Sequence, residues 1–145
     1  MVSNFALKLP YKKYPTVAGG VDLRAICPVY IALTARGAVR SKKIEAVIDS
    51  GASNCIFHAQ IGEAVGFDIK AGRQEETYGV DGKSSAIYFH DILIYMPGGQ
   101  ITIDGAFSYD MPVPAILGMR GFFDNFKVTF DPTGQLCEVE RIYQA

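Results

Sequence analysis

The segment IEAVIDSGAS (Ile44–Ser53) carries the most informative local pattern in the sequence. An apolar run of small and β-forming residues ends in an acid, a hydroxyl residue and a glycine, which is typical of a buried strand that runs into a tight turn. Such a strand would carry Asp49 out of a dry core and leave its carboxylate at the mouth of a loop, where proton chemistry is favoured. The same triplet is also an ordinary Asx turn that ends a strand, so the stretch alone leaves a structural and a catalytic interpretation open.

The composition of the 145-residue chain predicts one globular domain, since 49% of its residues are hydrophobic and 20% are charged. The net charge of −1 argues against a protein that binds nucleic acid by neutralising phosphates. We predict solvated surfaces for the two short basic pairs, Lys12-Lys13 and Lys42-Lys43. No apolar run has transmembrane length, and the N-terminus lacks the apolar core of a signal peptide.

The three cysteines, Cys27, Cys55 and Cys137, are odd in number and widely spaced. They form no Cys-x-x-Cys pair, and the two histidines cannot complete a convincing zinc set with them. We therefore predict reduced, partly buried thiols in a cytoplasmic protein rather than a metal site or a disulfide. We interpret His58 as a capping or solvated residue and His90 as a strand residue at a polar edge.

The pattern along the chain is mainly β. Residues 1–20 contain Pro10, Pro15 and the pair Gly19-Gly20, which predicts an N-terminal arm or edge segment ahead of a single domain over residues 21–145. Part of this arm is apolar enough to pair with a neighbouring segment, through Phe5, Leu7, Leu9, Tyr11 and Tyr14.

Regular elements follow from periodicity and turn residues. Alternation from Val29 to Leu33 and the return over 44–48 predict a hairpin that delivers the Asp49 loop. A short helix is predicted over 57–65, closed by Gly66. A strand is predicted to start at 67–69, and a hairpin tip is predicted around 78–82. Strands are predicted over 86–96, 101–103 and 113–117. Helical turns over 119–125 and a closing hairpin of 128–130 with 136–139 complete the prediction.

Three ordered motifs resemble the retropepsin-type aspartic proteases, the single-domain class of retroviruses with cellular and bacterial relatives. Ala46–Ala52 is similar to the active-site motif of that family, Tyr78–Gly82 to its glycine-rich flap tip, and Ile116-Leu117-Gly118 to the apolar-apolar-Gly motif behind the active-site loop. The run Gly121–Asp131 looks especially like the bacterial members. The similarity covers about 29–139 and implies a six-stranded closed barrel of the acid-protease type with one or two short helices.

The chain departs from the retroviral pattern at two linked positions. Retroviral members carry an acid two residues after the motif glycine and an arginine directly after the second-motif glycine, and these two pair as ions. Here the positions are Ser53 and Met119, with Arg120 next. Because both partners are absent together, we expect a different brace behind the site. The flap tip is also more polar than the viral form, because of Asp81 and Lys83.

The resemblance implies an aspartic endopeptidase that needs no cofactor. Its chemistry uses two carboxylates that share one proton, the behaviour for which aspartic proteases are the standard example. Asp131-Pro132-Thr133-Gly134 has the wrong spacing for a second motif, so a dyad requires a second copy of the chain. We predict a C2 homodimer in which the two Asp49 side chains meet on the axis.

Roles follow for the motif residues. Asp49 is the catalytic acid or base, Ser50 locks the two loops across the axis, and Gly51 admits the substrate backbone. Ala52 and Ser53 are expected in the cleft. The flap would close over an extended peptide and pair with it as an added strand, through Tyr78, Gly79, Val80, Asp81 and Gly82.

Two alternatives remain open on the sequence. One is a catalytically inert module that keeps the fold and the dimer as a peptide-binding scaffold. The other is an unrelated β-barrel ligand carrier, which would be monomeric and in which Asp49 merely ends a strand.

Overall fold

The computed structural model describes residues 6–16 and 18–142. Within them the fold is mainly β, as predicted. The strands are β1 (Ala6–Pro15), β2 (Val21–Ala32), β3 (Ile44–Ile48), β4 (Ile56–His58), β5 (Arg73–Tyr78), β6 (Ser84–Met96), β7 (Gly99–Ser108), β8 (Ala115–Leu117), β9 (Phe126–Asp131) and β10 (Leu136–Arg141). One α-helix, α1 (Ala59–Ala64), and one 3₁₀ turn (Ile69–Ala71) complete the described elements.

Six of the strands close into a barrel. Hydrogen bonding runs through β2, β3, β8, β4, β7 and β6 in that order, and the ring closes because β6 also pairs with β2. The closing register places Tyr30 opposite Tyr95 and Ile31 opposite Ile94. The predicted six-stranded closed barrel is thereby confirmed, and its closure leaves these strands without a free edge.

The barrel interior is the apolar core. It is filled by the inward-facing residues of the strands, among them Val29, Ile31 and Phe107, all fully buried. Burying one such aliphatic or aromatic side chain contributes about 1.5–3 kcal/mol. Phe122 and Phe126 extend this core beneath the loop that follows β8.

The stretch predicted as an arm or edge segment is an interior strand in its described part. β1 pairs with β10 through residues 6–10 and with β2 through residues 11–15. Leu9 and Tyr14 are buried. Their burial explains why this segment contains apolar residues although it also contains two prolines. Phe5 lies outside the described residues.

Three local predictions need correction. Residues 119–125 form turns rather than a helix, because Gly121 has φ = +99° and interrupts helical geometry. Phe67–Ile69 is not a strand: the chain enters a 3₁₀ turn at Ile69, and the apolar residues there are buried. The helix predicted from Phe57 begins instead at Ala59.

The two histidines have defined partners. His58 caps α1 through Nδ1, which accepts from the Gln60 N–H at 3.1 Å. Gly66 follows the helix with φ = +103°, as its predicted role as the helix terminator requires. His90 lies on β6, but its Nε2 is 2.8 Å from the Ile69 carbonyl oxygen and its ring packs against Phe67, so it belongs to a packed contact rather than a polar edge.

Candidate active site

Asp49 is the first residue after β3, and its carboxylate lies half-buried at the mouth of the following loop. The Asp49 N–H donates to the Leu117 carbonyl at 3.0 Å, which continues the pairing of β3 with β8. The Asp49 Oδ1 accepts from the Gly51 N–H at 2.9 Å. The loop is therefore an Asx turn, and that turn is what fixes the carboxylate at the cleft.

β8 lies between the two strands on either side of this loop. It is parallel to β3, with Ile48 opposite Leu117, and antiparallel to β4, with Ile56 opposite Ile116. Gly118 then passes directly under the loop: an added Cβ there would lie 2.6 Å from the Ala52 carbonyl oxygen and still closer to that of Asn54. Only glycine permits this backbone approach.

A thiol and a short backbone ladder hold the site from behind, where retroviral members use an ion pair. The Gly118 N–H donates to Cys55 Sγ at 3.4 Å, and the thiol lies 3.9 Å from the Gly118 carbonyl oxygen. The Met119 N–H donates to the Ala52 carbonyl at 2.8 Å, and the Arg120 N–H to the Ser53 carbonyl at 2.9 Å. The expected different brace is thus a set of uncharged contacts.

The β5–β6 hairpin projects over the same side of the barrel. Its tip is closed by two hydrogen bonds, from the Gly79 N–H to the Lys83 carbonyl and from the Gly82 N–H to the Gly79 carbonyl, both 3.0 Å. The Asp81 Oδ1 accepts from the Lys83 N–H at 3.0 Å. At the apex the Val80 side chain is fully exposed, an uncommon state for a β-branched apolar residue next to a cavity.

One cavity of about 380 Å³ brings these parts together. Of the residues predicted as catalytic, substrate-binding or motif residues, eight line it: Asp49, Gly51, Ala52, Ser53, Tyr78, Gly79, Val80 and Ile116. Ser50 is exposed beside it. The remaining predicted residues, Asp81, Gly82, Leu117 and Gly118, shape the turn or the floor without lining the cavity.

Several lining residues were not predicted. They come from the end of β7 and the loop after it, from the start of β4, and from both arms of the β5–β6 hairpin: Asn54, Ile56, Thr77, Ser85, Ile87, Ser108, Asp110, Met111 and Pro112. Asn54 is notable because its Oδ1 is buried and accepts no hydrogen bond from the described residues. Its position two residues after Ala52, in the motif loop itself, is the sequence feature that could have identified Asn54 as a cleft residue.

The thiol nearest the site, Cys55, is buried. Burial raises the pKa of the Cys55 thiol to about 12, so the thiol stays protonated at neutral pH. Over residues 6–16 and 18–142, His, Cys, Asp and Glu side chains form no group of three or more that could hold a metal ion. Among the same residues no helix has the length and apolarity needed to cross a bilayer.

Comparison with known proteins supports the fold. A scan of protein-family models and a search of curated proteins found no match. Among solved structures, a retropepsin-like aspartic protease from Rickettsia conorii superposes with a TM-score of 0.57 at 14% identity, over 97% of this chain and 96% of that chain. EIAV protease complexed with the inhibitor HBY-793 gives a TM-score of 0.49 at 20% identity, over 66% of this chain and 81% of that chain, and adds no weight. With the closed six-stranded barrel and β8 set between β3 and β4, the first superposition shows that this chain has the retropepsin-like fold.

Proposed function

We propose that the chain is an aspartic endopeptidase that hydrolyses peptide bonds with a pair of Asp49 carboxylates, one from each subunit of a homodimer. The observation that carries the proposal is the single cavity that Asp49, the motif loop and the β5–β6 tip share. A half-buried carboxylate at the floor of a cleft, with a hairpin tip beside it, is an arrangement that proton-transfer chemistry uses.

The second subunit supplies what one chain lacks. Each chain contributes one carboxylate in an Asp-Ser-Gly turn, whereas water activation and carbonyl polarisation need two. The surface around Asp49 suits an isologous contact, since Ser50 and Gly51 are exposed and the apolar Met119 side chain beside them is 48% exposed. In the dimer Ser50 would hydrogen-bond across the axis and fix the two loops.

In the reaction, one Asp49 takes a proton from a water bound between the two carboxylates. The other, protonated, donates a hydrogen bond to the scissile carbonyl oxygen, and the water oxygen attacks the carbonyl carbon. The Asp49 that took the proton from water then passes it to the nitrogen of the leaving amine as the C–N bond breaks. No cofactor takes part in these steps.

The substrate is proposed to be an extended peptide beneath the flap (Tyr78–Gly82). The exposed Val80 and Tyr78 side chains would bury against it, which excludes water from the dyad.

The test is proteolysis by the wild type and by Asp49→Asn, measured on denatured casein and on a peptide library from pH 3 to 7. We expect cleavage by the wild type and a loss of at least about a thousandfold in Asp49→Asn, since one of the reacting groups is removed. Asp131→Asn is the matched control. Its Oδ1 also closes a turn, by accepting from the Gly134 N–H at 2.9 Å, but it lies outside the cavity, so this variant should cleave like the wild type.

A non-catalytic scaffold is the second candidate, and two observations favour it. The retroviral ion pair behind the site is replaced by uncharged contacts, and the Asp81 carboxylate makes the flap tip polar. Absence of proteolysis above background in both the wild type and Asp49→Asn, with retained peptide binding, would establish this candidate and refute the protease.

A further inference from the structure

The charges of the chain are divided between its two parts. Residues 1–48 carry eight Lys or Arg against two Asp or Glu, a net of +6. Residues 49–145 carry six Lys or Arg against thirteen Asp or Glu, a net of −7, so the overall charge of −1 is the sum of two oppositely charged segments. Such an asymmetry indicates a directed electrostatic surface rather than a uniformly solvated one.

The fold gathers five of these cations on one face, which we name the basic surface: Lys12, Lys13, Arg40, Lys42 and Lys43. They line three adjoining depressions of about 550, 430 and 350 Å³. Lys43 borders all three. The two basic pairs, 30 residues apart in sequence, meet here because β1 and β3 both flank β2.

The basic surface is held in place by buried contacts. Ser41 is buried between Arg40 and Lys42, where its N–H donates to the Ile31 carbonyl at 2.8 Å and its Oγ accepts from the Ile31 N–H at 3.0 Å. The Arg40 guanidinium lies 3.7 Å from the centre of the Tyr95 ring. The backbone on either side of Ser41 and the Arg40 side chain are therefore positioned before an anion binds, which lowers part of the ordering cost of binding.

Most of the positive charge of this surface is uncompensated. Lys12 pairs with Glu45, Nζ to Oε1 at 3.3 Å, and Glu45 is the one acid among the residues that line the three depressions. Among the described residues, Lys13, Arg40, Lys42 and Lys43 have no carboxylate within salt-bridge distance. The surface thus offers four cations to an external anion.

The basic surface also adjoins the cleft. Pro112 lines both the 350 Å³ depression and the cavity that contains Asp49. A polypeptide that leaves the cleft past Pro112 would run onto Lys13 and Lys43. The cleft itself carries the opposite charge, since Asp49 and Asp110 are the ionisable side chains other than tyrosine among its described lining residues.

We infer that the basic surface is an exosite that binds an acidic, Asp- or Glu-rich segment of the substrate polypeptide outside the cleft. The inference rests on the proposed protease function for what lies in the cleft, and it names the class of substrate. Carboxylate side chains complement the four unpaired cations, and the apolar parts of Pro28, Tyr30 and Met96 in the largest depression suit a peptide. A nucleic acid is the less suitable polyanion, because the chain as a whole carries a net charge of −1.

Binding is tested first on Asp49→Asn, which separates it from turnover. The probes are fluorescein-labelled (Glu-Gly)₅, (Gln-Gly)₅ and the oligonucleotide dT₁₀, followed by fluorescence anisotropy at 50 and 300 mM NaCl. We expect (Glu-Gly)₅ to bind at least about tenfold more tightly than (Gln-Gly)₅ and to weaken with salt, since the contacts are exposed ion pairs. Equal binding of the two peptides, or tighter binding of dT₁₀, would overturn the inference.

A matched pair of charge variants localises the effect. Lys42→Gln/Lys43→Gln removes two exposed cations of the basic surface, and Lys8→Gln/Lys127→Gln removes two exposed cations elsewhere. The first should weaken (Glu-Gly)₅ about five- to tenfold and the second less than about twofold. Equal weakening by both would show a general charge effect and refute the exosite.

Turnover supplies the second readout. A peptide that the wild type cleaves is synthesised with and without a Glu₅ extension at either end. The extension should lower KM in the wild type at one end, and Lys42→Gln/Lys43→Gln should abolish that gain while leaving kcat and the unextended peptide unchanged. Cleavage without any effect of the extension would refute the exosite but not the proposed protease function. Binding of the acidic peptide without cleavage would support the exosite surface and refute the protease function.

Discussion

Among single residues, Cys55 is the side chain that connects the loop after Asp49 to Gly118, the residue that follows β8. Its sulfur accepts from the Gly118 N–H beneath the Asp49 loop. An uncharged brace avoids the desolvation cost of a buried ion pair, and the sulfur is the weakest acceptor within it. Removing that acceptor leaves a buried N–H without a partner.

We therefore predict that Cys55→Ala lowers the free energy of unfolding by about 2–3 kcal/mol, from the orphaned Gly118 N–H and the lost sulfur volume. Cys55→Ser keeps an acceptor at nearly the same place and should lose less. Urea unfolding followed by circular dichroism measures both. A serine variant that is as unstable as the alanine variant would show that packing, and not the hydrogen bond, is what Cys55 supplies.

At the scale of elements, the β5–β6 hairpin tip is built to hold exposed apolar groups over the cleft. Its turn is fixed by backbone hydrogen bonds and by Asp81, while Val80 contributes nothing to the core. A side chain kept in that position gains contacts only when something occupies the cavity below it.

Val80→Ser should accordingly leave the unfolding midpoint unchanged and raise KM about three- to tenfold, since the loss is of apolar area buried only in the complex. Val39→Ser is the control, because Val39 is also largely exposed, at 74%, but does not line the cleft. Steady-state kinetics and thermal unfolding of both variants decide the matter. A destabilised Val80→Ser, or equal KM changes in the two variants, would count against a role over the substrate.

The same elements show how far the sequence predicts this molecule. The strand before Asp49, the hairpin at 78–82 and the strand ending at Gly118 are predictable because apolar alternation and turn glycines are local signals. The turns over 119–125 were mistaken for a helix because Phe122 and Phe126 have helical spacing, and a positive φ at Gly121 is not visible in sequence. Ser108 and Asp110 were missed as cleft residues because only the pairing of β4 with β7 brings them there.

At the scale of the whole molecule, three buried thiols link stability to alkaline pH. Burial raises the pKa of Cys27 and of Cys55 to about 12 and that of Cys137 to about 11, from an ordinary value of 9.0. The folded state therefore holds protons that the unfolded state releases above about pH 9. The stability from protonated thiols is complete below that pH and is lost as pH rises toward 11–12.

We predict a free energy of unfolding that is level from pH 7 to 8.5 and falls above about pH 9. Each buried thiol adds about 1.4 kcal/mol per pH unit to the slope, so Cys27→Ala should have a shallower slope than the wild type whatever its stability at pH 7. Urea titrations at fixed pH from 7 to 10.5 measure both slopes. Parallel curves for the two proteins would contradict the assignment of Cys27 as a buried, protonated thiol.

In the proposed protease, Asp49 works only beside its copy from a second subunit. The measurement is the activity of wild type and Asp49→Asn chains unfolded together, refolded as an equimolar mixture and assayed at constant total concentration. Isotope labelling of one chain lets native mass spectrometry verify that the chains have mixed. If the dyad spans the dimer axis, only dimers of two wild-type chains are active and about a quarter of the wild-type activity remains. About half of the activity in a fully mixed sample would show that each chain works alone and would contradict the account.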